Sequence, residues 1–380
     1  MEKRKITFSP PDITEKEIAE VVDTLRSGWI TTGPKTKKFE DEIAEYCGTK
    51  KAVALNSATA AMELALRLFD IGEGDEVITS AYTYTASASV VYHCGAKIIL
   101  ADTKKGEFNI DPKEIEKLIT PRTKAIIPVD IAGLPADYTE IFEVVEKKRN
   151  IFNAKKGTYQ EKLGRILVLA DSAHSFGSDY KEKKIGSVAD ITSFSFHAIK
   201  NLTTAEGGAL TWNLPENFDN EEIYKELMLL ALHGQNKDAL AKLKAGAWKY
   251  DIVMPGYKCN MTDIMASIGL VQLQRYDGEI LKKKEELVSY YEKYLGNLTD
   301  KIELPIFKND IKESCKHLYM IRLKNQDEEK RNEVIAKLGE NDIATNVHFQ
   351  PLPLLTAYKK LGFKIEDYPN AYNQYKNEIS

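Results

Sequence analysis

From residue 52 onward the chain alternates short apolar runs with longer stretches of helical periodicity. The runs cover 52–55, 76–79, 97–101, 124–129, 165–170, 191–196 and 209–212. Each has the length of a strand, and helix-length segments separate most of them. This predicts a mainly parallel sheet covered on both faces. Ahead of it, Thr14 and Glu17 form a capping box, Ile18, Val21, Val22 and Leu25 recur at helical spacing, and Gly28 suits the stop. A second helix carries Phe39, Ile43, Tyr46 and Cys47 on one face, after a turn-rich loop at 29–34 that reads as a connector. Beyond Trp212 helices are expected at 221–232, 262–274 and 282–295, with a short polar piece at 239–244 and a loop at 254–260. From about residue 303 strands and helices alternate again, with 317–323 and 344–349 as the best strands. The pattern divides the chain into a large α/β domain, residues 1–255 including the N-terminal helices, and a smaller α+β domain, residues 256–380.

Sheets of this kind bind ligands at the carboxyl ends of their strands, and three polar features stand there. Asn56-Ser57-Ala58-Thr59 follows the first run and opens a helix, as an anion site or an ordinary N-cap. Asp171 ends the run 166–170 and precedes Ser172-Ala173-His174; its carboxylate could pair with a buried cation such as a protonated ring nitrogen, or cap a helix. Lys200 sits in a polar turn between the last two runs, before Gly207-Gly208. Burial there would depress its pKa and free a neutral amine for Schiff-base chemistry. For one of 53 lysines and arginines, a solvated surface charge is the ordinary alternative. Tyr82-Thr83-Tyr84 could stack on a flat ring or fill the core.

Composition narrows the field. With 43% hydrophobic and 29% charged residues among 380, the chain reads as an ordinary globular protein. A net charge of −4 gives no reason to expect nucleic-acid binding. No apolar stretch suggests a signal peptide or membrane span. The four cysteines are scattered without a CxxC, which fits a reducing cytoplasm, and the six histidines lack metal-ligand spacing, so no metal is expected. The basic stretch at 147–165 reads as a surface extension of a helix and loop. Gly72-Glu73-Gly74 precedes a strand rather than following one, which excludes a dinucleotide oxidoreductase.

Asn56–Thr59, Tyr84, Asp171 to His174, Ser195 and Lys200 occur in an order and spacing that resembles the pyridoxal-phosphate-dependent nucleotide-sugar aminotransferases, the DegT/DnrJ/StrS group. The resemblance runs from about Phe8 to the C-terminus, with the loop at 27–34 matching as well. Its more specific part is the block from Ser195 to Asn201 with Ala205 to Gly208. That block, and residues 256–260, look most like the branch forming UDP-4-amino-4-deoxy-L-arabinose with oxoglutarate as co-product. The fold implied is aspartate-aminotransferase-like (PLP fold type I), a three-layer α/β/α large domain with a smaller α+β C-terminal domain. The activity implied is amino transfer from L-glutamate to C4 of a UDP-linked 4-keto sugar, for cell-surface glycan or lipopolysaccharide precursors.

Carried over residue by residue, Lys200 would hold pyridoxal 5'-phosphate as a Schiff base, move the proton, and pass through pyridoxamine phosphate. Asp171 would pair with the ring nitrogen, His174 would lie near the phenolic oxygen, and Tyr84 would stack on the ring. Ala58, Thr59 and Ser195 would hold the phosphate. Lys258 and Asn260 would reach the neighbouring subunit's cofactor, implying a homodimer with shared active sites. Trp29, Thr31, Thr32, His197 and His348 would contact substrate. Lys258 stands where many relatives carry asparagine, and Pro353 where a histidine is frequent. Relatives continue past Ser380, so the smaller domain is expected to end early. The alternatives are an aminotransferase for a 3-keto sugar or cyclitol, and a non-catalytic regulator that binds the same cofactor.

Overall fold

The computed structural model describes residues 5–237 and 249–380; the polar piece expected at 239–244 lies outside them. Two helices, Glu15–Ser27 (α1) and Pro34–Cys47 (α2), precede the sheet. Glu17 closes the capping box by accepting from the Thr14 N–H at 2.8 Å, and Gly28 ends α1 at φ +75°. The sheet strands are Ala52–Leu55 (β1), Glu76–Ser80 (β2), Lys97–Ala101 (β3), Thr123–Ile127 (β4), Leu167–Asp171 (β5), Ile191–Ser195 (β6) and Gly208–Trp212 (β7). They lie in the order β1-β7-β6-β5-β4-β2-β3. Neighbours from β6 to β3 are parallel, while β7 is antiparallel to both β1 and β6. The reversal is local: β6 and β7 are joined by the turn that carries Lys200, with no crossover helix, so the chain comes straight back.

Consecutive residues of the central strands serve opposite faces. Val77, Ile127 and Leu169 enter one apolar cluster; Ile78, Ile126 and Val168 enter the other. Both faces are dry, as parallel strands require. The first face is covered by Ala58–Leu68 (α3) and Ala86–His93 (α4), the second in part by α2. Helix Asp263–Gln274 (α5) packs against α1 and α2. A smaller antiparallel sheet joins Ile302–Glu303 (β8), Ile321–Leu323 (β9) and Glu378–Ile379 (β10), beside helix Glu328–Glu340 (α6). Among the described residues no helix is long and apolar enough to cross a membrane.

Two strand expectations need correction. Only 321–323 of the stretch 317–323 forms a strand, and 344–349 is a loop with a single bridge, Ile6 to Ile343, at its edge. Val347 and Phe349 are apolar at strand spacing, but the backbone groups of the segment are taken individually. Asn346 exchanges both backbone hydrogen bonds with Ser380, the His348 N–H goes to the Glu378 side chain, and its carbonyl accepts from Tyr82. No ladder remains to be made. The basic stretch at 147–165 is anchored: buried Gln160 donates to the Phe69 carbonyl at 2.9 Å, and Lys124 donates to the Asn153 carbonyl at 2.6 Å.

Candidate active site

The carboxyl ends of β1, β5 and β6 meet the loop at 346–349 around one cavity of about 460 Å³. At the end of β1, Ser57 caps α3 by accepting from the Ala60 N–H at 3.1 Å, and Ala58 and Thr59 form the first helical turn. Their N–H groups have no earlier helical carbonyl to bind, so the turn presents donors to an anion. Ser193 of β6 donates to the Ala58 carbonyl at 3.1 Å and holds this turn beside Ser195. A Cβ on Gly208 would overlap the Ser57–Ala58 peptide, which is why the strand opposite begins with glycine.

At the end of β5, Asp171 is buried. Its Oδ2 accepts from the Ser87 hydroxyl at 2.6 Å and its Oδ1 from the Ala173 N–H at 3.2 Å, both neutral donors. Burial pushes this carboxyl above its ordinary range, against the pull of Ser87, Ala173 and the charge of Lys200. Lys200 follows β6 in a turn closed by its N–H to the His197 carbonyl at 2.9 Å. Its amine makes no ion pair or hydrogen bond among the described residues. Burial pushes it down to about 8, with Asp171 opposing. A buried carboxylate and an amine that loses its proton more readily than an ordinary lysine thus share one cavity, an arrangement that favours nucleophilic and proton-transfer chemistry.

His174 accepts from the Ala132 N–H through Nδ1 at 3.2 Å, which leaves Nε2 as its proton-bearing nitrogen. Burial, then the charge of Lys200, keeps this ring neutral, its pKa well below the usual histidine value. Phe349 stacks on it at 5.6 Å, and Tyr84, largely exposed, tilts against Phe349 at 5.9 Å. Tyr82 instead belongs to the core.

The structure therefore gathers Ala58, Thr59, Tyr84, Asp171, His174, Ser195, His197, Lys200 and His348 into one wall system. It does not bring Trp29, Thr31, Thr32, Lys258 or Asn260 to the cavity. Those residues lie together elsewhere: Asn260 bonds Thr32 and Lys258, and the Trp29 indole donates to the Thr32 carbonyl at 3.2 Å. Several lining residues escaped the sequence reading as site residues, Glu206, His317 and Phe349 among them. Glu206 faces His197 at 3.6 Å. His317 tilts against His174 with ring centroids 4.5 Å apart and pairs with Asn201 at 3.0 Å. A histidine inside an otherwise apolar run was the one signal for His317.

Ala205, in the same turn, sits at φ +69°, a region that favours glycine. Ala205→Gly is expected to raise stability by up to about 1 kcal/mol, read as a higher denaturant midpoint.

A family model described as the DegT/DnrJ/EryC1/StrS aminotransferase family matches residues 11–380. The spore coat polysaccharide biosynthesis protein SpsC of Bacillus subtilis is 40% identical over 382 residues, covering 99% of this chain and 91% of SpsC. Among solved structures, Spr1654 of Streptococcus pneumoniae, assigned as a sugar aminotransferase and solved in its PMP form, superposes with a TM-score of 0.95 at 54% identity, over 98% of this chain and 93% of its own. PseC of Helicobacter pylori, an aminotransferase involved in the biosynthesis of pseudoaminic acid, superposes with a TM-score of 0.84 at 28% identity, over 99% and 93%.

Proposed function

The chain belongs to the DegT/DnrJ/EryC1/StrS aminotransferase family, and from that premise we propose that it moves an amino group from L-glutamate to C4 of a UDP-linked 4-keto sugar. Membership makes it a sugar aminotransferase dependent on pyridoxal phosphate, of aspartate-aminotransferase-like fold. The observation that carries the transaminase reading is the Lys200 amine and buried Asp171 lining one cavity. SpsC and PseC, by their names, act in polysaccharide and pseudoaminic acid synthesis, which supports a sugar acceptor bound for a surface glycan. A reaction between a nucleotide sugar and glutamate would run in the cytoplasm.

The residues present fit the cofactor. Asp171 has only neutral partners and takes a cationic ring nitrogen without further change. The Ala58–Thr59 turn with Ser195 suits the phosphate, and the glycine at 208 keeps that turn open. Pyridoxal phosphate bound there would supply an aldehyde within the chemistry of the Lys200 amine and an electron sink for the reacting carbon of the substrate. Lys200 would move the proton at the substrate's reacting carbon. Asp171 would hold a protonated ring nitrogen. His174, with its proton on Nε2, would donate to an oxygen of the bound group. Tyr84 and Phe349 would cover the site from water. His197 and His348 line the side left for the sugar. Lys258 and Asn260, with Trp29, Thr31 and Thr32, would complete the site of a second copy in a homodimer, which accounts for their distance from this cavity.

The test is an absorption experiment on purified protein loaded with pyridoxal phosphate. L-Glutamate should bleach the visible band of the bound cofactor, and a UDP-4-keto-6-deoxyhexose should restore it. Restoration by a 3-keto sugar or cyclitol alone, or a band that glutamate leaves unchanged, would overturn the substrate assignment.

A further inference from the structure

The cavity wall at 346–349 does not support itself. His348 is fixed at three points from outside the cavity. Its N–H donates to Glu378 Oε2 at 3.0 Å, its carbonyl accepts from the Tyr82 hydroxyl at 2.6 Å, and its Nδ1 meets the Ser380 hydroxyl at 2.6 Å. Glu378 opens β10, opposite Arg322 of β9, and does not line the cavity. It is fully buried, and its Oε1 has no partner among the described residues. A buried carboxyl with one oxygen unmatched costs stability, and a group of this kind asks for a reason. An amide would meet the same N–H at lower cost. The carboxyl, however, is tied by one bond to the backbone of a residue that lines the cavity.

We infer that Glu378 is a positioning residue for the amino-acceptor half of the reaction: through the His348 N–H it sets the wall against which the keto sugar docks. The inference rests on the reading of this cavity given above.

Its charge state makes the idea testable. Burial pushes the Glu378 carboxyl up to about 8, against the His348 N–H, the Arg331 charge and Ser380. Facing it are Arg331 from α6, Arg322 from β9, Tyr82, and His348 itself. Arginine keeps its charge throughout this range. Tyr82 is pushed well above its usual value by burial, and the His348 ring is pushed down to about 4 by burial and by Lys200. Between pH 7 and 9, Glu378 is therefore the member of this group that changes charge. Lys200, acting on His348 from the cavity side, titrates in the same window and must be separated from it.

Two measurements do this. In protein labelled with 13C at histidine Cε1, the His348 signal is identified by its loss in His348→Gln. In a Lys200→Met background we expect it to move in one step centred near pH 8, and to stay flat when Glu378→Gln is added. A step that vanishes with Lys200→Met and survives Glu378→Gln assigns the change to Lys200 and overturns the inference. This arm needs no turnover, so it decides even if the substrate reading fails. In the kinetic arm, with a UDP-4-keto-6-deoxyhexose as acceptor, Glu378→Ala should raise the acceptor KM about tenfold, the loss of one buried hydrogen bond. The glutamate half-reaction should stay within about twofold. Glu378→Gln should restore the KM at pH 7, because the amide oxygen accepts from the same His348 N–H. A lower melting temperature with an unchanged KM would leave Glu378 with a structural role only.

Discussion

Replacing Lys200 by alanine is expected to lower turnover by roughly 10³-fold or more, because in the proposed reaction one side chain is both the nucleophile and the proton shuttle. The protein should still fold, since Lys200 makes no hydrogen bond or ion pair among the described residues. Cofactor would then be held without a covalent bond, read as a shifted absorption band and its loss on gel filtration. Added methylamine should restore part of the turnover. The wild-type amine also has a pH signature. With its pKa pushed down to about 8 by burial, it is charged and inert below that value and a free nucleophile above it. At pH 7 about a tenth of the protein would carry the neutral amine, against less than a thousandth for an ordinary lysine. The rate at which apoprotein captures pyridoxal phosphate should rise through a midpoint near pH 8. A midpoint above 10 in stopped-flow absorbance would show that Lys200 is not the group that reacts.

Lys200 and Asp171 were legible because each punctuates an apolar run, and a charge at the end of a buried strand stands out in a one-dimensional pattern. Ala58 and Thr59 were legible for the same reason, as the opening of a helix straight after β1. What the pattern missed are walls brought in from afar. His317 lies beside His174 only because the segment between β8 and β9 folds back over β5, and Glu206 joins His197 only through the closure of the turn between β6 and β7. The opposite failure is also informative. Residues 344–349 hold apolar Val347 and Phe349 two apart as a strand would, but that spacing does not say where the backbone bonds go. Here those bonds go to Ser380, Glu378 and Tyr82, and the segment becomes a cavity wall.

Asp171→Asn should separate stability from activity. In the protein without cofactor the carboxyl is pushed above its ordinary value by burial. Between the unfolded and folded pKa values the unfolded chain has released a proton that the folded chain prefers to keep. Unfolding therefore lowers proton binding, and the contribution of this group to stability falls as pH rises through that window. At neutral pH the aspartate is a liability, and asparagine removes it. The amide can still accept from the Ala173 N–H and meet the Ser87 hydroxyl. The apoprotein variant should melt above wild type at pH 7. With cofactor bound the order reverses, because the amide cannot pair with a protonated ring nitrogen. Removing one partner of a buried charge pair costs about 3–5 kcal/mol, which predicts a loss of roughly 10²–10⁴ in turnover. The cofactor should also raise the melting temperature of the variant less than that of wild type. Parallel thermal melts with and without pyridoxal phosphate, set beside steady-state rates, check both signs. A variant that melts lower than wild type as apoprotein, or keeps turnover within tenfold, would mean that Asp171 is a structural cap and not the partner of the ring.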